Sequence, residues 1–562
     1  MQVELSSDSL HPGMATPTPR RERLVVLILI LVSLAIHLLA LRDTRVIWGD
    51  EPFYLWLGRN WLTGQGYQFL GFTDVHHPPL YPLLSGLFYL VTHNLEAASN
   101  LVYVLFGPLL VLPMYLIGRQ MYGARVAGVS ALLTALWPAF NVAVPWWGTM
   151  TEPPFYFFVA VGVWAALMVV ARTEQPTQLR RRAELGFWCL TGLAFGLAYL
   201  TRPEGIWYIP LVGGAMLIAS WLDRSPWRRW LAGGLAFALG FALCFVPYAI
   251  HTRVYTGKWM VSEKVGITFQ DSLALARNDM AEHDRVLWQL DSTGEQVFFF
   301  SQESFHLSMW DAIRANPRRY AGVIYLNIQS FLRQFFALED FLPIFLPALG
   351  LGLFGAVWSR RRAKRELVLI AAAVPPLTFL LFFIFARYVS PLLLIMLPWT
   401  ALGTVSLGDW LRGTTHALAP KAGRGWLQLS SWVPIAIAAI ILLGMHPRTL
   451  AAVSNPQAGR LEHRAAGEWL SLNAPADAVV MARYPAIAFH ADRYWIPSPN
   501  SALEPALRYA RSKGTTIWVV DSNEGKWRPE LESLSRGESP LQLELLHTEG
   551  GAEVAVYIYR LR

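Results

Sequence analysis

Long apolar runs separated by short polar or basic stretches fill the chain as far as Met445, and that pattern predicts a polytopic helical membrane protein. The runs are Leu24–Leu41, Leu101–Gly118, Val126–Trp147, Pro153–Ala171, Leu185–Leu200, Gly205–Leu222, Trp230–Ile250, Phe341–Trp358, Leu367–Phe385, Tyr388–Leu407 and Leu427–Met445. A helix needs roughly 17–25 residues to cross a bilayer, so about eleven to thirteen spans are expected. The Leu185 run is marginal unless flanking residues join it. The first run is too long for the apolar core of a signal peptide and is read as an uncleaved span.

Basic residues orient these spans. With the first residues inside, Arg119 and Arg125, then Arg180 to Arg182, Arg224 to Arg229, Arg360 to Arg365, and Arg412, Lys421 and Arg424 all fall on the inner side. The short outer loops hold little Lys or Arg, as the positive-inside rule requires. Two weaker segments would reverse this order if they crossed. Pro78–Thr92 and Tyr320–Ala337 are therefore expected to lie along the outer surface. Outer loops at 42–100 and 251–340 result, and parity places everything after about His446 outside. That last stretch alternates helical and strand-like patterns: helical around Glu468-Trp469-Leu470, strand-like at Ala478–Met481, helical at Ala502–Ser512, then Thr516–Val520 and Ala552–Tyr559. A small extracytoplasmic α/β domain is expected there.

Composition supports the membrane assignment. Hydrophobic residues make up 54% of the chain and charged ones only 15%, against about a quarter charged in soluble proteins. The net charge of +8 comes from short clusters between apolar runs, so it reports topology and not a nucleic-acid surface. Cys189 and Cys244 both sit in apolar runs, which excludes a disulfide framework or a thiolate metal site.

Candidate chemistry gathers in the outer loops. Gly49-Asp50-Glu51-Pro52 opens a helical stretch, where Asp50 could serve as an N-cap or as a base held at the membrane surface. His76-His77-Pro78-Pro79 offers imidazoles for a phosphate or an acceptor; the two prolines keep His77 out of a helix. Thr149-Met150-Thr151-Glu152 puts a carboxylate at another outer helix start. In Thr201-Arg202-Pro203-Glu204-Gly205, Thr201 and Glu204 have capping-box spacing. Arg202, like Arg387 before Tyr388, is a guanidinium at headgroup height, suited to phosphate or to snorkelling. The dinucleotide-like spacing Gly350 to Gly355 lies within an apolar run and is a chance match. Gly192 and Gly196 mark close helix packing.

These motifs, in this order and on one side, resemble the bacterial integral-membrane glycosyltransferases related to protein O-mannosyltransferases and the lipid A aminoarabinose transferase, which share the GT-C fold and are family 39-like. The resemblance covers about Leu24 to Met445. It rests on the Asp50-Glu51 pair, the Pro78-Pro79-Leu80 helix start, Thr151-Glu152-Pro153, Leu200-Thr201-Arg202-Pro203-Glu204-Gly205 and Arg387-Tyr388. It implies a mainly α, GT-C-like membrane domain over 24–446, after a cytoplasmic tail at 1–23 and before the α/β domain at 447–562. It also implies a polyprenyl-phosphate sugar donor, inverting transfer and an active site at the outer face of the cell (inner) membrane. Asp50 matches the acidic residue proposed as catalytic base, Glu51 its neighbour and Glu152 the second acidic position. His77-Pro78-Pro79 stands where relatives often have Lys-Pro-Pro.

The expected reaction moves a sugar to a hydroxyl or amine of a lipid, glycan or protein acceptor. Asp50, Glu51 and Glu152 are the expected catalytic acids; His76, His77, Arg202, Glu204, Arg387 and Tyr388 are the expected substrate-binding groups. No cofactor is required, and a divalent metal held by the acids is left open. The alternative is a transporter or a lipid-binding, flippase-type protein, which favours ionisable groups at the bilayer midplane and internal repeats.

Overall fold

Prolines decide which apolar runs become full-length helices. The computed structural model describes residues 19–42, 45–173, 178–336, 345–418, 432–454, 460–550 and 554–562. Among these, seven helices are long and apolar enough to cross a membrane: Pro19–Ala40, Leu95–Tyr122, Glu152–Ala171, Arg182–Thr201, Pro203–Leu222, Trp227–Thr256 and Arg387–Thr414. The Leu185 run does gain flanking residues, within a helix from Gln178 to Thr201.

Seven of the expected eleven to thirteen spans meet this criterion among the described residues, and the reason that others fall short of it is local. The run 126–147 is α-helical only over Ala124–Leu136, after which Pro138 starts one 3₁₀ turn and Pro145 is the second residue of another. The run 367–385 leaves its helix at Ala373, before Pro375-Pro376, and continues as a 3₁₀ segment to Leu381. Proline lacks the amide proton and clashes with the preceding turn, so a helix ends there. The described part of 341–358 is helical only over Leu346–Phe354, which contains Gly350 and Gly352 of the dinucleotide-like match, with Gly355 as its C-cap. Residues 427–431, at the start of the last run, lie outside the described residues; the helix there runs Val433–Ser454. Leu80–Thr92 forms a helix of 13 residues, and Pro317–Phe336 is helical but not among the seven.

Small residues bring two long helices into backbone contact. A Cβ on Gly192 would lie 2.0 Å from the carbonyl oxygen of Phe237, and one on Gly240 would lie 2.1 Å from that of Cys189. The helices Gln178–Thr201 and Trp227–Thr256 thus fit through reciprocal glycines, as membrane helices do where apolar burial gives no net drive. At the basic end of the bundle, acids answer the arginines: Glu22 pairs with Arg119, Asp409 with Arg125, Glu184 with Arg229, and Glu366 with Arg362.

At the opposite end lies a second layer. A short hairpin, β1 (Gln68–Phe69) and β2 (Phe72–Thr73), precedes a five-stranded sheet of β3 (Val479–Ala482), β4 (Tyr494–Pro497), β5 (Ile517–Asp521), β6 (Leu543–Gly550) and β7 (Ala555–Leu561). The order is β4-β3-β5-β7-β6, with β3 parallel to β4 and β5, and β7 antiparallel to β5 and β6. The Glu51–Leu62 helix is held between this sheet and the bundle. Above, Trp495 of β4 meets Phe53 at 5.2 Å between ring centroids and Trp56 at 6.3 Å. Below, Arg45 grips both oxygens of Glu51 at 2.9 and 2.8 Å, and Ser99 donates to one of them.

Two measurements follow from this packing. Gly192→Leu has no room for its side chain and lowers stability by about 1–3 kcal/mol, read as a lower thermal midpoint of the purified protein; an unchanged midpoint contradicts the glycine contact. Glu51→Gln leaves Arg45 buried without its counter-charge, a loss of about 3–5 kcal/mol. A variant as heat-resistant as the wild type would show that Glu51 does not anchor the helix.

Candidate active site

Two glycines bring the two acidic loops together. Gly49 has φ +65°, and a Cβ on it would lie 2.8 Å from the carbonyl oxygen of Gly148, itself at φ +73° with the Trp48 ring 2.7 Å from its own Cβ position. Neither site tolerates a side chain. The amide of Glu51 then donates to that Gly148 carbonyl at 3.1 Å. Asp50 from the first loop and Glu152 from the second therefore face one region, although about a hundred residues separate them in the chain.

Asp50 occupies the N-cap position of the Glu51–Leu62 helix, but its side chain makes no capping bond. Its carboxylate instead accepts from Lys264 Nζ at 3.2 Å, and 40% of the side chain is exposed. Lys264 also sits over the Tyr54 ring at 5.9 Å. Desolvation pushes the Asp50 carboxyl upward, yet the charges of Lys264 first, then His77 and Arg387, bring it down to about 2. The same pairing raises the Lys264 ammonium against its own desolvation. Burial lifts the Tyr54 phenol to about 12.

Glu152 is fully buried. Thr149 Oγ1 donates to both its oxygens at 3.0 and 2.8 Å, and Arg202 Nη1 donates at 2.5 Å. Arg202 uses its Nε on Glu204 and stacks over Tyr388 at 5.2 Å. Arg387 donates to the Trp147 carbonyl at 2.9 Å and to the Tyr388 hydroxyl at 2.7 Å. A line of polar and charged groups thus runs Lys264, Asp50, Arg387, Tyr388, Arg202, Glu152, Glu204.

The paired histidines diverge, each toward its own acid. His77 Nδ1 lies 3.1 Å from Asp74, whose other oxygen accepts the His77 amide at 2.8 Å. His76 Nε2 lies 2.8 Å from Glu263. The loop's carbonyls are tied down too: Tyr67 donates to His77 O at 2.6 Å, and His251 Nε2 meets Asp74 O at 2.9 Å. Burial first, then the neighbouring Lys264, lowers the His77 pKa; Glu263 raises that of His76 against desolvation. His77 Nε2 is buried and makes no hydrogen bond.

Three sequence expectations change here. Glu51 does not face Asp50's side of the site; it is 0% exposed and serves Arg45. Thr201 and Glu204 form no capping box: Thr201 bonds back to Leu197 O, and Glu204 holds Arg202. Arg202 does not snorkel but is buried between two acids. Sequence reasoning missed Lys264, Tyr54, Asp74 and Glu263. The one available signal was Ser262-Glu263-Lys264, a charged pair opening the Lys264–Ala276 helix in the loop expected over 251–340. Among the described residues, no group of three or more His, Cys, Asp or Glu is placed to hold a metal ion.

Residues 76–251 match the family model described as dolichyl-phosphate-mannose-protein mannosyltransferase. A segment of 145 residues is 28% identical to the undecaprenyl phosphate-alpha-4-amino-4-deoxy-L-arabinose arabinosyl transferase of Pseudomonas aeruginosa, covering 25% of this chain and 25% of that relative. The structure of ArnT from Cupriavidus metallidurans in its apo state superposes with a TM-score of 0.59 at 13% identity, over 95% of this chain and 97% of that one. That protein has also been solved bound to undecaprenyl phosphate. The Archaeoglobus fulgidus oligosaccharyltransferase gives a TM-score of 0.56 at 14% identity, over 92% of this chain and 72% of that one. The chain is a multi-pass membrane protein with the GT-C fold of membrane glycosyltransferases.

Proposed function

We propose that this protein is a glycosyltransferase that moves a sugar from a polyprenyl-phosphate donor to an acceptor hydroxyl or amine at the outer face of the inner membrane, with inversion and with Asp50 as general base. The observation that carries this reading is the Asp50–Lys264 pair: a partly exposed carboxylate in contact with a lysine, beside Arg387 and His77. The kinship with an undecaprenyl phosphate-dependent arabinosyl transferase supports the donor class. The separation of the basic, acid-paired end of the bundle from the end that holds Asp50, Glu152 and the sheet supports a cytoplasmic start and an extracytoplasmic sheet layer.

A carboxyl held near 2 is a weak base. Donor binding removes that obstacle. A lipid phosphate brings negative charge to Lys264 and Arg387, and Lys264 turns from Asp50 to a phosphate oxygen. With its counter-charge shared, Asp50 becomes more basic as the acceptor arrives. It then takes the acceptor proton while the acceptor atom attacks the anomeric carbon opposite the phosphate. The bond from that carbon to the phosphate oxygen breaks, and its electron pair leaves with the phosphate, whose charge the cations stabilise. Glu152 acts through Arg202 and Glu51 through Arg45, since partners already fill their oxygens.

Transfer is measured with purified protein, labelled polyprenyl-phosphate sugars and host envelope extract. Asp50→Asn is expected to lose about 10²–10⁴-fold in transfer; near-normal turnover removes the mechanism. Lys264→Gln deletes one charge-assisted hydrogen bond, of about 1.5–3 kcal/mol, and raises the donor KM by about 10- to 100-fold. The pH profiles separate the two states of Asp50. Because its carboxyl is depressed in the free enzyme, kcat/KM stays level as pH falls until it approaches that low value. In the donor complex the carboxyl titrates higher, so kcat falls with acid at a higher pH than kcat/KM does. Coincident acid limbs would contradict the exchange of partners.

A further inference from the structure

The carboxyl-terminal ends of three parallel strands form a receptor for a carboxylate, and the chain fills it from its own outer loop. Asp284, on the Met280–Trp288 helix, is 1% exposed at its side chain. Arg483, directly after β3, donates Nε to Asp284 Oδ1 at 2.6 Å. Asn500, beyond β4, donates to Oδ2 at 3.0 Å. Arg528, beyond β5, donates Nε to Oδ2 at 2.6 Å and Nη2 to Oδ1 at 3.3 Å. Open α/β sheets bind their ligands outside the carboxyl ends of the strands, and here the ligand is tethered.

The latch reaches the site in two steps. Asp284's neighbour His283 meets Asp271 at 2.7 Å, and Asp271 belongs to the Lys264–Ala276 helix, whose first residue holds Asp50. On the other flank the Arg483 guanidinium lies 3.8 Å from the centroid of the Trp288 ring, and the Asn500 amide donates to the Trp288 carbonyl at 2.7 Å. Trp288 packs on Phe300, and Phe300 on Phe53, three residues after Asp50. One contact with the sheet therefore bears on both members of the Asp50–Lys264 pair.

We propose that Asp284 is a positioning residue: bound by Arg483, Arg528 and Asn500, it lets the carboxy-terminal sheet set where Lys264 stands, and so how tightly a donor phosphate is held. The consequence for the phosphate rests on the reading of Lys264 given above; the mechanical link does not. Full-length wild type, Asp284→Asn, Asp284→Glu and the milder Arg483→Gln, in nanodiscs, are compared by hydrogen exchange and by undecaprenyl phosphate binding. Expected is exchange at least about tenfold faster over 264–276 in Asp284→Asn, with unchanged membrane helices and about tenfold weaker binding. Asp284→Glu should recover part of both effects, and Arg483→Gln should show smaller ones. Faster exchange confined to 280–288 and the sheet, with 264–276 and binding unaltered, overturns the proposal, and Arg483→Gln decides it if Asp284→Asn does not fold. A wild type that binds no undecaprenyl phosphate overturns the donor reading, and the exchange over 264–276 then decides the positioning by itself.

Discussion

A carboxylate beside an ammonium at the edge of a membrane bundle is a stored charge pair, and the arrangement around Asp50 makes sense as the means of keeping that pair intact yet open to exchange. Lys264 reaches Asp50 at 3.2 Å while both side chains remain partly accessible. The neighbouring acids are treated differently. Glu51 and Glu152 are sealed inside the protein, each with its own arginine. Two of three carboxylates thus hold structure, and the remaining one stays partly exposed. A buried ion pair resists separation because either charge alone is costly in low dielectric; a half-exposed pair yields to a competing anion. That difference is the ground on which the chemistry is proposed for Asp50.

The rest of the molecule fixes the site from three directions. Glycine contacts hold the loop at Gly49 against the loop at Gly148. Arg45 and Ser99 anchor the helix that begins with Glu51. The sheet closes over Phe53 and Trp56 and, through Asp284, reaches the helix that starts with Lys264. The carboxy-terminal layer is thereby part of the machinery that positions the charges and is not a separate appendage.

Much of this was legible in the sequence, and what was not has identifiable causes. Hydropathy located the membrane helices, because uninterrupted apolar length is a direct physical requirement for crossing. It did not show where the α-helix stops inside an apolar stretch, at Pro138 and at Pro375-Pro376, since composition there still looks like a continuous helix. Asp50, Glu152, Arg202, Arg387 and His77 were each picked out as outer-loop charges, and they do converge. Their separate roles were not readable, because burial distinguishes Glu51 from Asp50 and adjacent letters carry no burial. The apparent capping box at Thr201 and Glu204 failed for a related reason: Arg202 claims Glu204 in three dimensions. Lys264 went unnoticed because its only local mark, a charged pair with Glu263 at a helix start, says nothing of a partner at Asp50. It enters the site only through the fold, more than two hundred residues after its partner.

The central claim is that a lipid phosphate takes Lys264 away from Asp50. The most direct measurement is an experimental structure of the protein with undecaprenyl phosphate bound. The account predicts Lys264 Nζ in contact with a phosphate oxygen, Arg387 facing the same group, and the Asp50 carboxylate released toward the acceptor side. A phosphate bound elsewhere, with the Asp50–Lys264 contact unchanged, would contradict it.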